Sequence, residues 1–517
     1  MTLPRTIALL FAALTAVPVA AQDANEPLSA IDWLSQSVAS TAIAAPLPAI
    51  ADEPAVTGDA SVPGVTVTAL DAPSPDAVGL LATKVTGLPR SLWSASTEAV
   101  LTTLVAAERV ETLPALQDLV VTLMLAEADP PLAAGADGAM FIARIDTLLD
   151  LGALEPAQAM LEAADLDNPE VFRRWFDVSL LTGSEHRACR LMAARPRIAP
   201  TFPARVFCLA REGDWPGAAL TLNTGRALGD ISPEEDALLS RFLDPDLYEG
   251  EPPLPPPSRP SPLVFRMHEA IGEAMPTAGL PRAFAHADLR ATSAWRSQLE
   301  AAERLARAGA VSDNQLLGIF TANTPAASGG IWDRARAIQA LDAALTAGDK
   351  TAVAAALPAA VAAMHTGRTE TAFARLYGPR LMALELPPEA AALAFDLALL
   401  SPGYEAAALA FVATTPQQRF RAAIARGLLP DTPATDPQAA AVLAAFDGTA
   451  MVPEPMAGQI TAGQLGEALL RAVAAFNQGL SGDPRAVTDA LVTLRAVGME
   501  DVARRAALQY LILDRPA

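Results

Sequence analysis

Four histidines, two cysteines and a few acidic or aromatic clusters are the residues of this chain with the types needed for chemistry. His186, His268, His286 and His365 never stand i, i+4 from one another, and none pairs with a cysteine in a zinc pattern. His268-Glu269 lacks the second histidine of a zincin motif. All four read as surface or core histidines of helices. There is no Gly-x-Ser-x-Gly elbow, no phosphate-binding glycine loop and no dinucleotide fingerprint. The expectation is a chain with no catalytic residues, no metal ligands and no cofactor.

Two clusters merit a closer reading. Glu234, Glu235, Asp236, Asp244, Asp246, Glu249 and Glu251 supply the oxygens a hard cation needs, but without alternating ligand spacing or a central glycine. A solvated face with acids at a helix start accounts for them better. The phrase Ser328-Gly-Gly-Ile-Trp332-Asp333-Arg334 is the most unusual local sequence. Its two glycines can shape a rigid turn that presents Trp332 and an Asp333/Arg334 ion pair to a partner. The plainer reading is a helix start with Trp332 packed in the core.

Cys189 and Cys208 are the only cysteines. Pro196, Pro200 and Pro203 break any helix between them. One cysteine therefore falls near the end of one helix and the other on the next, where a disulfide would staple an antiparallel hairpin. The loop-closure model gives such a staple about 3 kcal/mol.

The elements that must position these residues are helices. Roughly a fifth of the chain is alanine and only 5% is aromatic, a composition that favours helix over strand. Helix-start chemistry recurs at Asn168-Pro169, Ser232-Pro233, Thr415-Pro416, Asp436-Pro437 and Asp483-Pro484, each an N-cap oxygen before a proline at the first helical position. Ser232 and Glu235 also fit a capping box.

A repeat runs through these helices. Gly152, Gly183 and Gly213 stand 31 and 30 residues apart. Five residues after each comes a small residue (Ala157, Ala188, Ala218), and nine after each a large apolar one (Leu161, Met192, Leu222). The phrase recurs from Gly348, Gly367, Gly482 and Gly498. The glycine suits a left-handed C′ position, and the small residue lets two helices approach closely. On these positions the chain resembles tetratricopeptide and Sel1-type helical repeats, most clearly over residues 140–240, although the period is shorter and the Trp and Tyr positions are not kept. The resemblance implies a right-handed α-solenoid of antiparallel hairpins with a concave protein-binding face. The whole chain, through Gly87–Trp93 and Pro325–Arg334, also resembles Ala-rich exported proteins of alphaproteobacteria, some labelled antifreeze glycopeptide polyprotein. No regular Ala-Ala-Thr array supports ice binding.

Residues 1–21 read as a secretory signal peptide, with Arg5 before an apolar run and small residues ending at Ala21. No Cys follows, so no lipid anchor is expected, and no later segment reaches transmembrane length. Residues 22–75 read as a disordered tether with one helical island over 28–38, where Ile31, Leu34 and Val38 share a face and Trp33 lies beside it. Two readings of this island stay open: docking on a partner through Ile31, Trp33 and Leu34, or packing on its own domain. Helical blocks follow at 76–247, 263–428 and 429–517, the first two divided by the Pro-rich linker 248–262.

A net charge of −21 argues against nucleic acid and against docking on anionic lipid. The expected function is that of a non-catalytic periplasmic scaffold or adaptor for another envelope protein. A cell-wall glycan-processing enzyme or accessory module, associated with peptidoglycan, is the alternative. A structural spacer is the third reading.

Overall fold

The computed structural model describes residues 74–109 and 111–513. These residues form α-helices and short 3-10 turns, with no strand beyond two isolated bridges, Leu81 to Ala126 and Thr97 to Leu132. The signal peptide and the island at Ile31, Trp33 and Leu34 lie outside the described residues. Among the described residues no helix is long and apolar enough to cross a membrane.

Local chemistry sets the helix starts. Asn168 accepts hydrogen bonds from the N–H groups of Glu170 and Val171, at the head of helix Pro169–Thr182. Ser232 and Glu235 form the expected capping box on helix Pro233–Leu243. Thr415 and Gln418 form another, on Pro416–Ala425. Asp436 and Asp483 cap Pro437–Phe446 and Pro484–Ala496. Each side-chain oxygen satisfies an N–H that the helix leaves without a partner.

The glycine phrase has a structural counterpart. Gly152, Gly183 and Gly213 take φ of 76°, 79° and 87°. Ala157, Ala188 and Ala218 are fully buried, and Leu161, Met192 and Leu222 follow them into the core. One phrase departs from the pattern. Gly367 remains helical at the end of Lys350–Gly367, and the left-handed position passes to Arg368, with φ 53°. Gly367 is needed instead for closeness, because a Cβ there would come within 3.0 Å of the Glu303 carboxylate.

The buried apolar residues from Leu88 to Leu513 form one cluster. Consecutive helices pack as neighbours, and the last helices also return to the first. Helix Pro114–Leu125 packs on Glu500–Ile512, and helix Glu98–Ala106 packs on Leu465–Leu480. In an open solenoid each repeat touches only its neighbours, and the contact between the first and last described helices goes beyond that pattern. Gly466 makes it possible, since a Cβ there would lie 2.4 Å from the Trp93 ring. A polar seam runs beside it: Ser96 donates to Glu467, Gln464 donates to the Ala95 carbonyl, and Thr112 pairs with Asn477.

The Pro-rich stretch 248–262 is held down rather than standing clear. Arg241 bridges Glu251 and Glu273, the Leu254 N–H donates to Glu273 at 2.9 Å, and the Leu254 side chain packs against the core.

Candidate functional site

Cys189 and Cys208 are joined, with sulfurs 2.07 Å apart. The bond ties helix Glu185–Ala194 to Phe202–Arg211, as the proline spacing predicts.

The Trp332 phrase starts helix Ile331–Ala347, after Gly329 and Gly330 at positive φ. Trp332 is half-buried, its ring 5.2 Å from that of Trp295. Asp333 and Arg334 do not pair with each other. Asp333 accepts from the Gly329 N–H, which holds its carboxyl below the usual range, and pairs with Arg336 at 2.7 Å. Arg334 grips buried Glu303 through two bonds of 2.7 Å.

The histidines are dispersed. His186 is exposed. His286 meets the Gly152 carbonyl at 2.7 Å, His268 lies 3.7 Å from Glu273, and His365 lies 3.2 Å from Glu370. Burial lowers the pKa of His268 and His286. Among the described residues no group of His, Cys, Asp or Glu is placed to hold a metal ion. In the acidic cluster, Glu235 serves the capping box, Asp236 pairs with Arg226 and Glu251 with Arg241.

One charge constellation brings together residues that no single sequence window contains. It gathers arginines from three places: Arg282 at the start of the turn Arg282–Leu289, Arg304 and Arg307 at the end of helix Trp295–Ala306, and Arg368 in the turn after Gly367. Glu111 sits between two of them, 3.5 Å from Arg282 and 3.5 Å from Arg368. Arg304 donates to the carbonyls of Thr277 and Leu280. Arg307 donates to the Gly367 carbonyl at 2.9 Å and lies 3.9 Å from Glu303, a carboxylate already engaged by Arg334. Burial pushes the pKa of Arg282 down to about 10; Glu111 opposes that shift, while Arg304 and Arg307 add to it by repulsion. Burial first, then like charges, lower Arg304 and Arg307 too.

Comparison with family models, curated proteins and solved structures finds no match for this chain. Function has to be read from the surface itself.

Two further features complete that surface. Asp177, from helix Pro169–Thr182, lines a small pocket with Arg173, Thr201, Glu235 and Ser261. Its Oδ2 is buried without a hydrogen-bond partner, and burial raises its pKa to about 7 against the pull of Arg173 and Arg174. Helix Trp215–Leu228 is the other feature. Its inner face buries Ala218, Leu222 and Gly225. Its outer face carries Leu220 (69% exposed) and Leu228 (64%), with Thr224 and Ala227 between them, while Trp215 (50%) is exposed at the helix's first position, above the inner face. Arg226 is the one charged residue of that helix.

Proposed function

We propose that this protein is an exported, non-catalytic scaffold of the bacterial periplasm that binds another envelope protein through its helical surface. The observation that carries this reading is the outer face of helix Trp215–Leu228. A solvent-facing helix ordinarily alternates apolar and charged faces. Here Leu220 and Leu228 stand out in water on the outer face, Trp215 is exposed at the first position, and the helix carries a single charge. Exposed apolar patches on otherwise well-packed proteins mark contact sites, and tryptophan is prominent among binding hot spots. In this reading the hairpins wind as a right-handed, tetratricopeptide-like superhelix whose ends meet. The segment at Ile31, Trp33 and Leu34 is a second contact, reaching the partner from the tail. The disulfide fits an oxidising compartment.

The test is a cross-linking pull-down from the native envelope with three baits: the mature chain, the chain lacking residues 22–75, and a Leu220→Glu/Leu228→Glu variant. A dominant partner lost from the helix variant supports the reading. Loss only on tail deletion moves the contact to the tail. No specific partner with any bait rejects the scaffold and directs assays to cell-wall glycan turnover.

A further inference from the structure

Helix Trp215–Leu228 packs on Phe202–Arg211, which the disulfide ties to Glu185–Ala194. From His186 to Arg211 these neighbours and their turn carry six arginines and no Asp or Glu. Arg187 pairs with Glu162, Arg195 with Asp167 and Arg211 with Glu185. Arg190, Arg197 and Arg205 have no carboxylate partner among the described residues; the first two are exposed and the third is half-buried. Arg205 stands one turn after Phe202 on the same side of its helix. The Phe202 ring lies 3.3 Å from where a Cβ on Gly225 would stand, so that side faces helix Trp215–Leu228. Unpaired positive charge thus adjoins the helix that exposes Leu220 and Leu228.

The same chain holds a segment of complementary chemistry, outside the described residues. Between Arg5 and Lys84 there is no Lys, Arg or His, and residues 22–73 contain seven acids. Three of these, Asp23, Glu26 and Asp32, stand beside the apolar Ile31, Trp33 and Leu34. Acids and large apolar side chains in one short stretch match arginines beside exposed leucines. In a protein of net charge −21 most other surface repels such a stretch.

The connection is long enough. The described chain begins at Ser74, and Asp76 fastens it to the head of helix Ala139–Asp150 by accepting from the Phe141 N–H. Neighbour-to-neighbour packing leads from that helix to Trp215–Leu228 in five steps. At about 8–10 Å per step the path is roughly 50 Å. Residues 39–73 reach about 115 Å when extended. A tether of this kind supplies an effective concentration of about a millimolar, so a modest affinity suffices to seat the segment.

We propose that the segment from Asp23 to Val38 docks in cis on the surface formed by helix Trp215–Leu228 and the unpaired arginines Arg190, Arg197 and Arg205. It covers that surface until a partner displaces it, and the displaced segment is then free to make the tail contact. The displacement rests on the scaffold reading; the docking does not.

The experiment follows a fluorescein-labelled peptide of residues 22–40 by anisotropy against the mature chain at low ionic strength. The peptide is expected to bind a Trp33→Ala/Leu34→Ala chain, whose own segment is disabled, at least about ten-fold more tightly than wild type, whose segment already fills the site. Adding Leu220→Glu/Leu228→Glu to the tail variant should weaken the peptide at least about ten-fold. Adding Arg190→Ala/Arg197→Ala/Arg205→Ala instead should weaken it about ten-fold and flatten its salt dependence. Melting curves check that each variant keeps its fold, and the arginine set carries the test if the glutamates disturb the helix. No binding to the Trp33→Ala/Leu34→Ala chain overturns the proposal. So does equal binding to that chain and to wild type, or binding unmoved by either set of surface substitutions. No partner is present in this assay, so its failure leaves the envelope pull-down to judge the scaffold reading separately.

Discussion

The side-chain oxygen of Gln509 accepts a hydrogen bond from the backbone N–H of Ala115 at 2.8 Å, across 394 positions of sequence. Ala115 is the second residue of helix Pro114–Leu125, whose own N-cap, Leu113, offers no side-chain acceptor. The last described helix thus caps one of the first. The contact is buried, with Gln509 1% exposed.

Replacing Gln509 by Leu removes the cap and leaves a buried N–H without a partner. A loss of about 1–3 kcal/mol is expected, read as a lower urea midpoint at unchanged slope. An unchanged midpoint would show that the closing contact contributes nothing to stability.

Gly466 is the steric counterpart of that cap. A Gly466→Ala methyl would meet the Trp93 ring at 2.4 Å and the Leu92 carbonyl at 2.7 Å. Overpacking of this kind costs about 1–3 kcal/mol or more. Gly183→Ala probes a different constraint, because nothing lies within 4 Å of its Cβ position and only its φ of 79° resists. The first variant should lower the melting temperature and shift Trp93 fluorescence; the second should lower the melting temperature alone.

Reduction of Cys189–Cys208, or the double Cys→Ser variant, should lower stability by about 2–4 kcal/mol without loss of helix content. Circular dichroism during thermal melting, with and without reductant, measures both. Equal melting curves would reduce the bond to an incidental pairing.

Two buried carboxyls, Asp76 and Asp177, and the half-buried Glu108 set a pH dependence. Burial raises Asp76 to about 6, Asp177 to about 7 and Glu108 to about 8. In the window between the ordinary carboxylate range and these values the folded chain holds protons that the unfolded chain has released. The contribution of these groups to stability is therefore full at low pH and falls as pH rises toward 8. Asp177→Asn keeps the shape without the ionisation. It should exceed wild type in stability by roughly 1–3 kcal/mol at pH 8 and by much less at pH 5. Urea titrations at the two pH values decide, and an advantage that shrinks as pH rises refutes the argument.

The local grammar of the fold was legible in the sequence, and its long-range geometry was not. Asn168-Pro169 and Ser232-Pro233 announce helix starts because cap and helix are adjacent in the chain. Cys189 and Cys208 could be paired because prolines fix a hairpin between them. Gly152, Gly183 and Gly213 marked turns through a φ preference that belongs to one residue. The closing seam has no such signal: Ser96 and Glu467 lie 371 positions apart, with no shared period. The arginine constellation escaped for the same reason, since Arg282 and Arg368 come from two turns and Arg304 and Arg307 from a helix end. Gly367 shows a subtler limit. The sequence marks a glycine in a turn, but only the structure tells whether it is needed for conformation or for closeness.

The meeting of the first and last helices also bears on how such a molecule can change over time. An open array of hairpins lengthens by duplicating a unit, and each added unit finds a neighbour to rest on. Here an added or lost hairpin would carry Gln509 away from Ala115 and Gly466 away from Trp93. Changes of length that leave both contacts in place are those in the loops, where they need not move the first and last described helices apart.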